Sequence, residues 1–506
     1  MSDIRLRLAP SPTGFLHLGN LRTALFGYLL AKSLGGKYIL RIEDTDQKRE
    51  VAGAIEGLIK ILDWVGITFN EGPSTLGGEY GPYIQSQRLD IYKKYVDELL
   101  VKGGAYRCWC SAERLETMRA EQTAKHRPPH YDRACRNLKE SEIAAKLKAG
   151  DDFVVRQAMP LAGVVTVFDE LRGRIVFQAE DLDDQVLLKS NGVPTYQLAS
   201  VVDDHLMAIS HVTRGDEWLP SLPKNILLYQ SFGWTPPQFI HLPLILNKGG
   251  GKLSKRQGDV YVEDFKAKGY LPEALINFCA LLGWHPSVAK AMDGKPQGGI
   301  SEKEIFSLSE LEKIFSIEGL GVSPAIFDAA KLDYLNGYYI RQKSTEELTE
   351  LALLYLSHNE QRATRNERIT TIHNTEVEFA YIQKVVALEQ ERLKSLSEIK
   401  DKTVYFFTEP QYDVQLLLWK NLSREQIKNN LSELKDKIEA LNDFTKIETE
   451  ILDWLKNSGK KNGDYLWPLR VALTGLQASP GPFEVALVLG KEKVLTRIET
   501  ALNKLA

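Results

Sequence analysis

The sequence predicts an α/β architecture: a parallel-sheet first half, an inserted α+β region within it, and an all-helical C-terminal region. Three observations lead there. Strand, helix and strand patterns follow one another between Ile4 and Asp46, which is the order of a βαβ unit and implies a parallel, Rossmann-like sheet. Short extended runs take over between Gly103 and Leu188. From about Tyr338 onward the apolar residues keep helical spacing.

Ile4, Leu6 and Leu8 alternate with Arg5 and Arg7, as in a half-buried strand, and Pro10, Pro12 and Gly14 then force a turn. Leu21, Ala24, Leu25, Tyr28 and Leu29 fall at helical spacing, so a helix starts close to Gly19. A helix N-terminus offers unpaired N–H groups and a positive dipole end to a phosphate, and His17 stands on its rim as a further donor. A histidine in that place also reads as plain structure. Tyr38 to Ile42 is the second strand, followed by Glu43-Asp-Thr-Asp46. Ligands of a parallel sheet bind at the strands' carboxyl ends, which brings Arg7, Ser11, Glu43 and Asp44 to one crevice. Those charges suit a zwitterion: a carboxylate holds an ammonium group, and arginine grips a carboxylate through two parallel bonds. Ile55, Leu58, Ile59, Leu62 and Val65, and then Leu89, Tyr92, Val96 and Leu99, are expected core stripes.

In the insertion, Val154 to Arg156, Val164 to Phe168 and Arg174 to Phe177 read as strands of one antiparallel sheet. Cys108 and Cys110 are two apart on a strand and point to one side. With Tyr131 and Cys135, and His126 and His130 close by, they give enough soft or borderline donors to surround zinc, the alternative being buried thiols. The main sheet resumes near Pro194 and passes Val201-Val-Asp-Asp204 to Arg214. Asp216 and Glu217 open the next helix, either as dipole partners or as groups that hold ribose hydroxyls. Gly249-Gly-Gly-Lys-Leu-Ser-Lys-Arg256 reads as a mobile loop whose Lys252, Lys255 and Arg256 suit a charge that develops only during a reaction. Taken alone it also reads as a solvated basic loop. Ser344 with Glu347 and Ser423 with Gln426 are capping boxes ahead of helical stripes.

The chain of 506 residues has room for several cores, and its 43% hydrophobic and 26% charged residues are those of a soluble globular protein. The reading finds neither a spanning segment nor a signal peptide and expects a cytoplasmic protein. A net charge of -3 means that any RNA must be held by local patches. Four cysteines in so long a chain do not make a disulfide scaffold.

His17-Leu-Gly-Asn20 after a first strand, with Lys252-Leu-Ser-Lys-Arg256 about halfway along, resembles the HIGH and KMSKS signatures of class I aminoacyl-tRNA synthetases. Asn20 replaces the final histidine and Leu253 the methionine, as in the glutamyl branch. The resemblance extends through APSPTGFLHLG, LRIEDTD, PTYQLASVVDDH, VTRGDEW and KLSKR to Lys331-Leu-Asp-Tyr-Leu-Asn336 and Leu469-Arg-Val-Ala-Leu-Thr-Gly475. Ser11 marks it as glutamyl, since glutaminyl enzymes usually carry a glutamate in that turn.

The resemblance implies a glutamate–tRNA ligase: ATP activates L-glutamate to an adenylate, which is transferred to the terminal adenosine of tRNA(Glu). It implies His17, Lys252 and Lys255 as catalytic residues, and His17, Gly19, Asn20, Asp216, Glu217 and Lys255 around ATP and its Mg²⁺. Arg7, Ser11, Glu43, Tyr196, Ser200, Arg214 and Trp218 surround glutamate, and Cys108, Cys110, Tyr131 and Cys135 hold zinc. Some relatives end that cluster in Cys-x-His, where this chain has Asn137. The expected domains are a catalytic domain at 1–102 and 189–257, an acceptor-end-binding insertion at 103–188, a connecting domain at 258–336 and an anticodon-binding region at 337–506. A monomer is expected, with tRNA(Gln) as a possible second substrate. The competing readings are glutamylation of a modified tRNA base, an RNA-independent nucleotidyltransferase and a non-catalytic RNA-binding protein.

Overall fold

The structure, a computed structural model, describes residues 3–12, 14–45, 51, 53–254, 258–286, 303–356, 369–372 and 375–506. Its contacts divide the chain into two compact units, residues 1–265 with 275–329, and residues 266–274 with 330–506.

In the first unit β1 (Arg5–Leu8) and β2 (Lys37–Leu40) pair in parallel, Leu6 opposite Tyr38, with α1 (Leu18–Ser33) between them in sequence. The βαβ expectation holds, but β1 is not half-buried. Arg5 and Arg7 are as enclosed as Leu6, because a parallel strand is covered on both faces and its charges must come in with partners. Arg5 donates to both oxygens of Glu71 at 2.8 and 2.9 Å. Arg7 does the same to Asp204, as described below. Two helices follow, α2 (Ala54–Trp64) and α3 (Leu89–Val101), burying Leu58, Ile61 and Leu62, and Tyr92, Val96 and Leu99. Leu89 leaves the expected stripe and is exposed at its helix start.

The insertion contains β3 (Ala105–Cys108), α4 (Ala112–Ala124), α5 (Glu140–Ala149), β4 (Val154–Gln157), β5 (Val164–Asp169), β6 (Gly173–Gln178) and β7 (Val186–Leu188). One antiparallel sheet was expected and two are found: β4 lies between β3 and β7, while β5 and β6 form a separate hairpin. The hairpin is held elsewhere. Val165 and Val167 join a core with Leu222, Ile226 and Phe239, and the Glu170 N–H donates to the Phe239 carbonyl at 2.9 Å. Neither α4 nor α5 buries any residue, so they offered no apolar stripe to read.

The main sheet resumes after α6 (Tyr196–Leu206) with β8 (His211–Gly215), α7 (Leu222–Phe232) and β9 (Gln238–Leu242), and β8 and β9 pair in parallel. Ser210 ties β8 to β1, its N–H donating to the Arg5 carbonyl at 2.9 Å. Beyond them, β10 (Ile245–Leu246) pairs in parallel with Ala325–Ile326.

The second unit is mainly helical from Ala329–Gln342 to Lys491–Leu505. Both expected capping boxes form, Ser344 with Glu347 and Ser423 with Gln426. An antiparallel hairpin of Ile369–Ile372 and Thr375–Glu378 is its exception to the all-helical expectation.

Candidate active site

His17 caps α1. Its Nδ1 accepts from the Gly19 N–H at 3.0 Å, so in the neutral ring the proton sits on Nε2, which is a donor. Burial lowers its pKa; a hydrogen bond with the Leu253 backbone opposes this and the Lys252 charge adds to it. The expectation of unpaired amides at this helix start is not met. Leu18 N–H donates to Val260 at 2.8 Å, and Asn20 and Leu21 both donate to the His17 carbonyl, at 2.8 and 3.0 Å. The remaining donor is the histidine ring, whose Nε2 proton faces the Leu253 backbone and must leave it to reach a phosphate. Gly19 suits that ring, since a Cβ there would lie 3.3 Å from His17 Nδ1, a tight contact that only a shift of the ring relieves.

The glycine-rich stretch forms an ordered turn. Gly250 N–H donates to Asn247 and Asn247 N–H to Gly251, with φ near +80° at Gly250 and +79° at Gly251, and Leu246 bridges Lys252. Lys252 then stands 3.7 Å from Glu217 in an exposed pair. Lys255 and Arg256 lie outside the described residues. The chain returns along Leu16–Leu18, where Val262 N–H donates to Leu16 at 2.9 Å and Glu263 accepts from Leu16 N–H at 3.2 Å. The two sequence signatures thus meet at His17.

At the carboxyl end of β1 lies a buried charge network. Arg7 donates through Nε and Nη2 to Asp204 at 2.9 and 3.2 Å, and Arg41 reaches Asp204 at 2.7 Å and Glu43 at 3.2 Å. Asp203 accepts from Arg88, Tyr92 and Gln85 at 2.8, 2.8 and 3.0 Å. Three arginines thus face three carboxylates in a space with little water, and removal of any one leaves a buried charge unbalanced. Burial pushes Glu43 up to about 7 against the pull of Arg41 and Arg7. Glu43 also accepts from Gln85 at 3.4 Å, while Asp44 accepts from Ser86 N–H at 2.8 Å. Glu43 N–H donates to the Pro10 carbonyl at 2.9 Å, which sets exposed Ser11 beside this group.

Arg214, on β8, is buried and donates through Nε to His241 Nε2 at 2.9 Å and through Nη2 to Asn225 at 3.2 Å. The Tyr196 and Trp218 rings lie 4.4 Å apart, and Tyr196 acts electrostatically on Arg7. Ser200 is buried on the helix that carries Asp203 and Asp204. The buried Tyr229 hydroxyl has no hydrogen-bond partner among the described residues, and burial, with the nearby Asp204 charge, raises its pKa against Arg7, Arg41 and Arg214. Asp216 is held by Arg172 of the insertion at 2.6 Å. Arg41, Asp203, Gln85, Arg88, Tyr229 and His241 were given no site role by the sequence. Arg41 and Asp203 lay within stretches already singled out, and their signal was charge in apolar surroundings.

In the insertion, the sulfurs of Cys108, Cys110 and Cys135 lie within 4.8 Å of one another, Cys110 and Cys135 being 3.6 Å apart. The Tyr131 hydroxyl is 3.2 Å from Cys108 Sγ and 3.3 Å from Cys110 Sγ. Tetrahedral zinc with bonds of about 2.3 Å places two sulfurs about 3.8 Å apart, so the donor set has the size and softness for that ion. His130 turns instead to Asp183 at 3.5 Å. Among the described residues no helix is long and apolar enough to cross a membrane.

The carboxyl ends of the parallel strands thus carry a buried set of arginines and carboxylates, and the histidine-capped start of α1 meets the glycine-rich turn. Residues 3–334 match the family described as tRNA synthetases class I (E and Q), catalytic domain, and residues 347–502 match the anticodon binding domain. The chain belongs to the class I tRNA synthetases. It is 43% identical to a glutamate–tRNA ligase of Treponema denticola and 42% identical to that of Alkaliphilus metalliredigens, each over 99% of both chains. A crystal structure of a glutamate–tRNA ligase from Elizabethkingia meningosepticum in complex with its amino acid superposes with a TM-score of 0.87 at 35% identity, covering 100% of both chains. Within the class, the chain is a member of the glutamate–tRNA ligase family.

Proposed function

We propose that this site ligates L-glutamate to tRNA(Glu) in two steps. The glutamate α-carboxylate attacks the α-phosphorus of ATP, giving glutamyl-adenylate and pyrophosphate. A ribose hydroxyl of the terminal adenosine then attacks the activated carbonyl and releases AMP. No protein nucleophile is needed, because substitution at phosphorus is catalysed by positioning and by stabilising developing charge. The observation that supports this most is the meeting of His17 with Lys252 and Leu253, which brings the two signatures together.

His17 turns its Nε2 proton from the Leu253 backbone to a phosphate oxygen, with Gly19 and Asn20 beside it. Lys252 leaves Glu217 when ATP arrives, and Lys252 and Lys255 close over the leaving pyrophosphate. Asp216 and Glu217 hold ribose hydroxyls. Arg7, Tyr196 and Arg214 bind the carboxylates of glutamate, Ser11 and Glu43 its ammonium group, and Ser200 and Trp218 line the same pocket. Mg²⁺ enters with ATP, held by phosphates and water. Zinc bound by Cys108, Cys110, Tyr131 and Cys135 is structural and fixes the start of the insertion.

The insertion at 103–188 carries the acceptor end, 258–336 contacts the stem, and 337–506 reads the anticodon. The protein acts as a cytoplasmic monomer. Its mainly helical second unit speaks against base modification and against an RNA-independent nucleotidyltransferase, neither of which has a use for it.

The test is incorporation of labelled glutamate, with ATP and Mg²⁺, into purified tRNA(Glu) and, separately, tRNA(Gln). Charging of the first alone makes the enzyme discriminating, and charging of both makes it relaxed. Charging of neither by folded protein rejects the proposal. Lys255→Ala lowers the adenylation rate by orders of magnitude with glutamate affinity little changed; an unaltered rate removes its assigned role.

A further inference from the structure

Arg5, Arg7, Arg41 and Arg88 each rest on a carboxylate, but Arg214 does not. Its two bonds go to a neutral ring and an amide, His241 at 2.9 Å and Asn225 at 3.2 Å, and Nη1 has no hydrogen-bond partner among the described residues. An arginine can only donate, so His241 Nε2 accepts and the ring proton sits on Nδ1. That proton points at Asp169 Oδ2, 2.8 Å away, and the same oxygen accepts the His241 backbone N–H at 3.0 Å. Asp169 Oδ1 takes the Leu171 and Arg172 N–H groups at 3.0 and 3.1 Å, so the carboxylate is held from four sides. Both Asp169 and His241 are fully enclosed, and Asn225 is fixed in turn by its bond to Gln197 at 2.8 Å.

We propose that Asp169 and His241 are positioning residues for glutamate recognition: they fix the Arg214 guanidinium through a neutral imidazole, so that its positive charge stays uncancelled for a substrate carboxylate. The inference rests on the reading of Arg214 as a carboxylate-binding residue. Its physical content is a choice of partner. A carboxylate set directly on Arg214 would orient it equally well but would compete with the substrate for the same charge. Putting an imidazole between them keeps the anion one ring away while the tautomer it selects keeps Nε2 an acceptor. The acidic member is the last residue of β5 in the β5–β6 hairpin, 72 residues from His241, so the insertion supplies part of the support for the amino-acid pocket.

The test is the KM for glutamate and for ATP in the tRNA-charging reaction, for wild type, His241→Phe, His241→Gln, Asp169→Asn and Arg214→Ala. Loss of a hydrogen bond to a charged group costs about ten- to hundredfold in binding, so His241→Phe is expected to raise the glutamate KM by roughly that factor and to leave the ATP KM unchanged. His241→Gln, whose Oε1 can stand in place of Nε2, recovers most of the loss. Asp169→Asn keeps shape and volume but frees the wrong tautomer, and it raises the glutamate KM as well. It therefore decides the matter even if His241→Phe folds poorly. Adding Asp169→Asn to Arg214→Ala makes the enzyme no worse. An unchanged glutamate KM in both His241→Phe and Asp169→Asn, beside a raised one in Arg214→Ala, overturns the positioning role alone. Parallel rises in both KM values, or a glutamine variant as impaired as phenylalanine, overturn it too. An unchanged KM in Arg214→Ala instead rejects the reading of Arg214 on which the proposal stands.

Discussion

With Glu43 as the proposed partner of the substrate ammonium group, its titration should set the pH at which glutamate binds. Burial holds its carboxyl at about 7, above the usual carboxylate value, so the neutral form is favoured in the free enzyme below that pH and the ionised form above it. An ammonium group needs the ionised form. The glutamate KM should therefore fall by about tenfold between pH 6 and pH 8, following the ionised fraction, while the ATP KM stays flat. Glu43→Gln should remove that dependence; a flat profile in the wild type would show that Glu43 does not receive the ammonium. The same carboxyl contributes to stability with the opposite sign, fully below its unfolded value and less as pH rises through 7. At His17 the sensitive neighbour is Gly19. Gly19→Ala puts a methyl 3.3 Å from Nδ1 and displaces the ring, for which we expect a roughly ten- to hundredfold loss of adenylation rate in protein that melts normally.

Among the elements, the β3 end and the segment holding Tyr131 and Cys135 owe their arrangement to one another through three sulfurs and a phenol. Purified, unchelated protein should contain about one zinc per chain, and Cys135→Ser should lose it and lower the melting temperature. Absence of zinc from the wild type would leave a hydrogen-bonded thiol cluster. How far the site could be read from sequence follows from the elements that carry it. The βαβ unit and most helical stripes were legible because periodicity and turn residues report them directly, while the two signatures were legible only through the family resemblance. The enclosure of β1 was misjudged, Arg5 above all, because alternation treats charge as outward-facing, which fails in a strand covered on both faces. His241 was silent: it sits in Gln238-Phe-Ile-His-Leu242, an ordinary buried strand, and its meaning comes from residues distant in sequence. The helices Ala112–Ala124 and Glu140–Ala149 bury nothing and left no pattern.

For the whole molecule, the second unit is built from two separated pieces of chain. Buried Asn336 joins them, accepting from Leu271 N–H at 2.8 Å and donating to the carbonyls of Gly269 and Lys394 at 3.3 and 2.6 Å. Lys331 to Asn336 was part of the sequence resemblance without a stated role, and this bond set gives it one. Asn336→Ala strands those groups and should cost about 2–4 kcal/mol, read by urea unfolding. A fragment of residues 330–506 lacks Leu271 and Ala274 from its core and should melt below the same unit in the full chain. The pairing of Leu16–Leu18 with Val260–Val262 carries a different consequence. Leu16 and Glu263 are 247 residues apart, so the support behind His17 is completed only when the chain has been made past that point. During synthesis a ribosome-bound product that ends before Lys252 has the first signature but neither the second nor the Val260–Val262 segment that pairs with it. On the proposed roles of His17 and Lys252, such a nascent chain should not spend ATP, and consumption of the nucleotide should begin only after the first unit has been translated and closed.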